Sequence, residues 1–400
     1  MLDQIIKGTA LSLHNAALLA QDNANLRAAN GKIVKMRNRP HKQIPCEEGL
    51  TVEEGLQLVS QLDLPLEAPV VESHPQGDLP IESKDKAFDG LVYQDAPMPK
   101  VGESEVLGKY PFPCNFPVVP ASDGAGEVVE VGSKVTEFKK GDQVATLFNQ
   151  GHQYGDIDIP ATYTGLGGMI DGALREYGVF NEKGLVKAAK NLTPLENSTL
   201  TCAALTSWNA LYGLKPLKPG QTVLVQGTGG VSMFGLQFAK AAGATVIATT
   251  SSDEKGEKLK KLGADHVINY KTDPNWGEAA RKLTPDCAGV DHIIEVGGPG
   301  TMRQSFNCIK FEGVISVIGF LGGVKAEGQP TLLDTLSNIC TVRGVYVGSK
   351  ALMCDMIRAI EANDIHPVLD EKVFTLEQAR EAYEYMWAQK HFGKLTVKIH

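Results

Sequence analysis

The sequence contains no Cys-x-x-Cys pair, although it has seven cysteines in 400 residues. The cysteines are odd in number and widely spaced, which argues against a disulfide framework and against a four-cysteine zinc site. No apolar run is long enough to cross a bilayer, and the first residues lack the pattern of a signal peptide. These absences predict a protein of the cytoplasm without a membrane partner.

Charge of one sign is not in large excess, since 39 basic and 47 acidic residues give a net charge of −8. A globally acidic chain is a poor nucleic-acid binder unless one segment is locally basic. Residues 32–42 are such a segment, because they carry only basic or histidine side chains among their charged groups. They could contact phosphate backbones weakly, but a solvated arm is the favoured interpretation, so we expect no nucleic-acid partner.

The pattern of the chain changes along its length, and 400 residues suit two or three domains. Residues 1–85 show an imperfect helical repeat and then a stretch rich in Pro, Glu, Ser and Asp, typical of a linker. Short Val-rich segments at Gly126–Gly132 and Asp142–Leu147 then predict a β-rich region. From residue 199 onward, strand and helix patterns alternate, which predicts a parallel sheet covered by helices on both faces.

A glycine-rich turn follows the first strand of that predicted sheet. Thr222–Gln226 reads as a strand, Gly227-Thr-Gly-Gly-Val-Ser232 follows, and a helix begins at once. Gly227 can make the tight turn, and Gly229 lets the backbone approach a pyrophosphate at the free N–H groups of the helix. Ser232 replaces the third glycine, and as a small residue it should still allow close helix–strand packing. The alternative is a tight turn with no ligand.

The end of the second strand predicts which dinucleotide binds. NAD-binding proteins place Asp or Glu there for the ribose 2′-hydroxyl. Here the strand ends in Thr, and Ser251, Ser252 and Lys255 follow, which suits the 2′-phosphate of NADP. Ser252 could instead be a plain helix cap and Lys255 a solvated charge, and the nearby Asp253 leaves NAD open.

Residues from about 90 to 400 resemble the medium-chain dehydrogenase/reductase superfamily, in particular the alcohol dehydrogenase and quinone oxidoreductase group. The similarity looks strongest to fungal "zinc-type" reductases that lack zinc. Besides the glycine-rich turn, the matching motifs lie at Val119–Gly132, Phe138–Val144, Gly172–Tyr177, Thr206–Leu211, Leu262–Asp265 and Gly393–Lys398.

The resemblance implies an α/β fold in which a Rossmann doubly wound parallel sheet accompanies a GroES-like β-rich catalytic domain. The pattern of the first residues predicts a helical, partly disordered N-terminal extension before it. The expected parts are an extension (1–85), the first part of the catalytic domain (86–205), an NADP-binding Rossmann domain (206–350) and a return to the catalytic domain (351–400). The catalytic residues stay unknown. The expected cofactor-binding residues are Thr206, Gly227, Thr228, Gly229, Gly230, Val231, Ser251, Ser252, Lys255, Tyr270, Gly297 and Gly319.

Zinc-dependent relatives carry a Gly-His-Glu motif, which reads Ala121-Ser122-Asp123 here. Cys202 falls near another ligand position, but one thiolate cannot hold a catalytic zinc, so we expect a buried core cysteine. Residues 145–175 contain no cysteine for a structural zinc, and the lone His152 is expected at the surface. We therefore predict no metal site and hydride transfer from NADPH to a small carbonyl, quinone or enone, with a homodimer as the family implies.

Two departures from the family pattern qualify this expectation. Leu107 is followed directly by Gly108, so a segment that normally supplies a barrel strand and part of the pocket is missing. The gap indicates either a shortened functional variant or a lost exon, and the second would leave an NADPH-binding protein with an inactive pocket. Residues 1–62 resemble the tail of fungal pogo-type transposases, which suits a chimeric reading frame.

Overall fold

A computed structural model describes residue 115, residues 118–323 and residues 326–399. These residues belong to a unit that spans Gln94–His400. The expected N-terminal helix, the basic run, the transposase-like tail and the gap at Leu107 lie outside the described residues. Among the residues that are described, no helix is both long and apolar enough to cross a membrane.

The secondary structure alternates in the second half of the chain as expected. The strands are β1 (Ala125–Glu127), β2 (Gln143–Thr146), β3 (Leu185–Lys187), β4 (Thr222–Gln226), β5 (Thr245–Thr250), β6 (His266–Asn269), β7 (Val290–Glu295), β8 (Ile309–Val317), β9 (Thr341–Gly344), β10 (Leu369–Thr375) and β11 (Lys394–Lys398). The α-helices are α1 (Ile159–Thr162), α2 (Pro194–Asn197), α3 (Leu205–Tyr212), α4 (Gly230–Ala241), α5 (Asp253–Lys261), α6 (Trp276–Lys282), α7 (Pro299–Cys308), α8 (Leu332–Ser337), α9 (Lys350–Asn363) and α10 (Ala379–Trp387).

Six parallel strands form the main sheet in the order β6-β5-β4-β7-β8-β9. β5 and β6 follow β4 in sequence and lie on one side of it. β7, β8 and β9 come next in sequence and lie on the other side of β4. The order of the strands therefore reverses between β4 and β7. In doubly wound sheets, a ligand crevice opens at the carboxyl ends of the strands at such a reversal.

Helices cover both faces of this sheet, and β4 shows how its sequence permits it. All five residues of β4 are buried. Side chains alternate along a strand, so Val223 and Val225 join one hydrophobic core while Leu224 joins the other. Phe234 of α4 packs in the first core, and Trp276 of α6 packs in the second. A continuous apolar run is thus the signature of a strand buried on both faces.

A smaller antiparallel sheet, β1-β2-β3, precedes the parallel one. The predicted strand at Gly126–Gly132 is mostly wrong, because the ladder to β2 ends at Glu127, opposite Gln143. Val128 still hydrogen-bonds to Gly141 and Asp142, at 2.8 and 2.9 Å, but Gly141 has φ +89° and the pairing goes no further. Val129 and Val131 are accordingly exposed.

Candidate functional site

The carboxyl ends of five parallel strands bring most of the predicted cofactor residues to one edge of the sheet. Gly227–Val231 follow β4, and Ser251, Ser252 and Lys255 follow β5. Tyr270 follows β6, while Gly297 and Gly319 lie just beyond β7 and β8. Thr206 is the exception, since it lies in α3 and is buried there.

The turn after β4 leaves the start of α4 open. Gly227 has φ +75°, a conformation that suits glycine, and its N–H donates to the carbonyl of Thr249 at 2.8 Å. Gly229 is the N-cap of α4 and offers no side-chain acceptor to the first N–H groups of the helix. A Cβ built on Gly229 would meet no atom within 4 Å. The start of α4 thus lacks a side-chain cap and is open beside Gly229, and a helix start of this kind can bind an anion.

Ser232, the sixth residue of the glycine-rich turn, lies where α4 meets the end of β4. Ser232 is buried, and its hydroxyl donates to the carbonyl of Gln226 at 2.5 Å, which ties α4 to the end of β4. Ser232 therefore allows the close packing of α4 on β4 that the sequence predicts. A second close approach lies one helical turn later at Gly235, where a Cβ would lie 2.3 Å from Cδ1 of Ile294.

A lysine from the last strand covers this turn, and sequence reasoning missed it. A Cβ on Gly230 would lie 2.5 Å from Cδ of Lys394, so the Lys394 side chain crosses the start of α4. Gly393 donates its N–H to the carbonyl of Thr228 at 2.9 Å and pairs with Gly229 as an isolated β-bridge. The motif Gly393–Lys398 had been noted only as a family match, and its proximity to the turn needed the fold.

Lys394 forms an ion pair with Asp123 from the β-rich region, at 2.9 Å between Nζ and Oδ2. About a fifth of each side chain is exposed, at 21% and 20%. Burial would lower the pKa of Lys394, but the charge and hydrogen bond of Asp123 outweigh it and raise the pKa. The amine is therefore a fixed cation next to the open helix start.

The segment after β5 combines hydroxyl groups with a cation. The hydroxyl of Ser252 accepts the Lys255 N–H at 3.3 Å and so caps α5. Ser252 is therefore a helix cap, which was one of the two roles considered for it. The carboxylate of Asp253 accepts from the side-chain amide of Asn269 at 2.9 Å. Within the described residues Lys255 makes no ion pair, and Tyr270 is exposed beside this segment.

The loops after β7 and β8 are held together by backbone hydrogen bonds. The N–H of Gly322 donates to the carbonyl of Gly297 at 2.9 Å, and the N–H of Gly319 donates to the carbonyl of Glu295 at 3.3 Å. A Cβ on Gly319 would lie 2.7 Å from the carbonyl oxygen of Val296, so only glycine fits between the loops. These loops lie on the β7 side of the strand reversal, where a doubly wound sheet opens its ligand crevice.

The side chains at the family's zinc position do not form a zinc ligand set. Ser122 donates to Asp123 at 2.7 Å, and Asp123 is already paired with Lys394. Burial, and then the charge of Asp123, raise the pKa of Cys202 to about 12, so the thiol is protonated near neutral pH. The ammonium group of Lys394, which is bound to Asp123, would repel a cation at this position. Thr206 hydrogen-bonds to the same thiol.

The structure bears on two expectations about single residues. Cys202 packs against the larger core and its thiol is buried, although the residue as a whole is partly exposed, so its expected core position agrees with the structure. His152 is not at the surface but is 7% exposed, since its loop folds back and Nε2 lies 2.9 Å from the carbonyl oxygen of Gly155. Over the described part of the chain, no group of three or more His, Cys, Asp or Glu side chains is placed to hold a metal ion.

Comparison with known proteins identifies the class of this fold and crevice. Residues 89–190 match the family of alcohol dehydrogenase GroES-like domains, and residues 230–362 match the family described as zinc-binding dehydrogenase. The chain belongs to the alcohol dehydrogenase and quinone oxidoreductase family of medium-chain dehydrogenases/reductases. It is therefore an oxidoreductase of the group that binds a nicotinamide cofactor.

Two curated proteins and one solved structure show how similar the chain is to individual members of this family. A zinc-type alcohol dehydrogenase-like protein of Schizosaccharomyces pombe is 50% identical over 73% of this chain and 85% of its own length. A chloroplastic quinone oxidoreductase of Triphysaria versicolor is 30% identical over 78% of this chain and 93% of its own length. A crystal structure assigned to an alcohol dehydrogenase of Sinorhizobium meliloti superposes with a TM-score of 0.66 and 40% identity, over 71% of this chain and 83% of that one.

Proposed function

We propose that this protein reduces a small carbonyl, quinone or enone with NADPH and without zinc. The observation that carries the proposal is the segment after β5, where Ser251, Ser252 and Lys255 stand in place of the acid that selects NAD. One oxygen of Asp253, the nearby carboxylate, accepts from the side-chain amide of Asn269. A 2′-phosphate would find hydroxyl groups and a cation there.

The remaining parts of the cofactor would occupy the crevice described above. The open start of α4 and the amine of Lys394 suit the pyrophosphate, and the glycine loops after β7 and β8 leave room at the other end. The bound cofactor would supply the hydride. Without a metal, developing negative charge on the substrate oxygen needs hydrogen-bond donors.

The proposal includes the organisation of the chain. We assign residues 206–350 to the NADP-binding domain, residues 86–205 and 351–400 to the catalytic domain, and the protein to the cytoplasm. A homodimer through the sheet edge is supported by β9, which ends the sheet, and by exposed leucines of α8. Leu332, Leu333 and Leu336 are 89%, 70% and 73% exposed. Sedimentation of the protein as a single chain would contradict this assembly.

The proposed function is tested first by binding and then by turnover. NADPH should quench the tryptophan fluorescence of the protein and NADH should not at the same concentration. Consumption of NADPH in the presence of a quinone or enone should then follow. Binding without turnover across these substrate classes would favour the alternative of an incomplete pocket, which the missing segment after Leu107 suggests. Preference for NADH would contradict the NADP assignment.

The variant Lys255→Met tests the 2′-phosphate assignment. We expect NADPH binding to weaken roughly tenfold, or about 1.4 kcal/mol, because one charge-assisted contact is lost. Binding of NADH, measured by the same titration at higher protein concentration, should stay within about twofold. Lys261→Met is the matched control, since Lys261 is an exposed lysine of the same helix. An equal loss of NADPH and NADH affinity would show that Lys255 does not contact the 2′-phosphate.

A further inference from the structure

A carboxylate lies fully buried at the edge of the crevice. Glu295 is the last residue of β7 and has 0% exposure. It stands where the strand order reverses, beside the space proposed for an anionic cofactor. Burial of a charge is costly unless the charge is fully hydrogen-bonded, and an uncompensated carboxylate would also repel phosphate. The contacts of Glu295 therefore have to account for its position.

One oxygen of Glu295 holds the loop that follows it. Oε1 accepts the backbone N–H groups of Gly297 and Gly298, each at 3.0 Å, and the hydroxyl of Thr301 at 2.5 Å. Gly298 has φ +81°, and a Cβ there would lie 2.9 Å from Cα of Phe320. The conformation that Glu295 fixes is thus also the one that interlocks with the loop after β8.

The other oxygen connects this loop to the strand that carries the phosphate-binding turn. Oε2 accepts from Nε2 of Gln226 at 2.7 Å and from the hydroxyl of Ser305 at 2.5 Å. Oε1 of Gln226 accepts the N–H groups of Val296 and Gly297, each at 3.2 Å. Because these N–H groups fix the amide oxygen of Gln226, its NH₂ group must face Glu295.

The network specifies a carboxylate rather than any polar residue. Two backbone N–H groups, two hydroxyls and one amide converge on the two oxygens, and only an ionised carboxyl group accepts on both. A glutamine at 295 would replace one oxygen with an NH₂ group, which would face the N–H groups of the loop or the NH₂ of Gln226. The loop could not keep all its contacts in either orientation.

We propose that Glu295 is a positioning residue for the nicotinamide cofactor. Its carboxylate holds the loops after β7 and β8 against the end of β4, and so keeps the crevice shaped to receive the nucleotide. It acts through Gly297, Gly298 and Gln226 and does not itself touch the cofactor. This inference rests on the proposed function, because the crevice is the cofactor site only if that function holds.

The variant Glu295→Gln is expected to bind NADPH at least tenfold more weakly at a temperature well below its unfolding midpoint. In the protein without cofactor, the amides of residues 296–298 should exchange with solvent at least tenfold faster, while the amides of β4 should keep their protection. If wild-type protein prefers NADH, the same titration uses NADH. Unchanged affinity together with unchanged exchange would overturn the proposal.

Two variants that remove only a hydroxyl group distinguish a specific role of Glu295 from a general loss of folding. Ser305→Ala removes one donor to Glu295. Ser316→Ala removes a similarly buried hydroxyl of β8 that donates to the Ala210 carbonyl of α3 at 3.3 Å rather than to Glu295. We expect the first to weaken NADPH binding about threefold or more and the second to leave it within 1.5-fold. Equal effects would reduce Glu295 to a packing role and overturn the proposal.

The exchange measurement separates this inference from the proposed function. Wild-type protein that binds neither NADPH nor NADH would contradict the proposed function. Faster exchange in Glu295→Gln would then still show that the carboxylate holds the loops, but the assignment to a cofactor would fall. Binding by wild-type protein with no change in Glu295→Gln would contradict only the role of Glu295.

Discussion

Replacement of Lys394 by methionine should weaken NADPH binding roughly 100-fold, or about 3 kcal/mol. The side chain crosses the first turn of α4, where a Cβ on Gly230 would meet it at 2.5 Å. Methionine keeps the length of the apolar stem but removes the amine. The loss includes the attraction to the phosphates and the new repulsion from Asp123, which would be left without its partner. Fluorescence titration with NADPH measures the change.

The matched control is Lys398→Met, because Lys398 is an exposed lysine of the same strand. We expect its affinity for NADPH to stay within about twofold. Asp123→Asn keeps the amine and removes its competitor, so its affinity should fall far less than that of Lys394→Met. A dissociation constant for Lys394→Met within threefold of wild type would mean that the helix start holds the phosphates without this lysine.

Replacement of Gly393 by alanine should lower the free energy of unfolding by about 3 kcal/mol. Gly393 has φ +75°, and a Cβ there would lie 2.2 Å from the carbonyl oxygen of Val368. The left-handed backbone alone costs about 1–2 kcal/mol for a residue with a Cβ, and displacement of a backbone carbonyl adds to it. NADPH affinity should fall as well, because Gly393 joins Lys394 to the turn at Thr228.

The variant Gly220→Ala separates the cost of the left-handed backbone from the cost of the close contact with Val368. Gly220 has φ +80°, but a Cβ there would meet no atom within 4 Å. Its variant should lose about 1–2 kcal/mol in chemical denaturation and keep its affinity for NADPH. If both glycine variants lose the same free energy of unfolding, the close approach of Gly393 to Val368 does not contribute to the loss of stability in Gly393→Ala.

Local patterns predicted the parallel sheet well. The strand Thr222–Gln226 was predicted with the bounds that the structure has, because a continuous apolar run between turn residues is typical of a central parallel strand. The glycine turn and the helix cap at Ser252 could also be predicted, because each depends only on neighbours within a few residues.

Features that depend on distant parts of the chain were missed. Lys394 contacts a helix start more than 160 residues earlier, and nothing in its own segment indicates that contact. Glu295 looks like an ordinary polar strand end until the fold buries it beside Gln226. The strand at Gly126–Gly132 was overextended for the converse reason, because its valines favour a strand but the ladder to β2 ends at Glu127. Sequence pattern specifies what an element can be, and tertiary pairing decides how far it extends.

The bridge between Gly229 and Gly393 has a consequence for biosynthesis. The residues of the glycine turn leave the ribosome well before Lys394, and at 5–20 residues per second the interval is roughly 10–30 s. The parallel strands can pair during that time, but the turn still lacks its cation and its neighbouring strand. Stable capture of a nucleotide should therefore begin only after the last strand has been synthesised, and a ribosome-bound chain that ends before residue 391 should not retain NADPH.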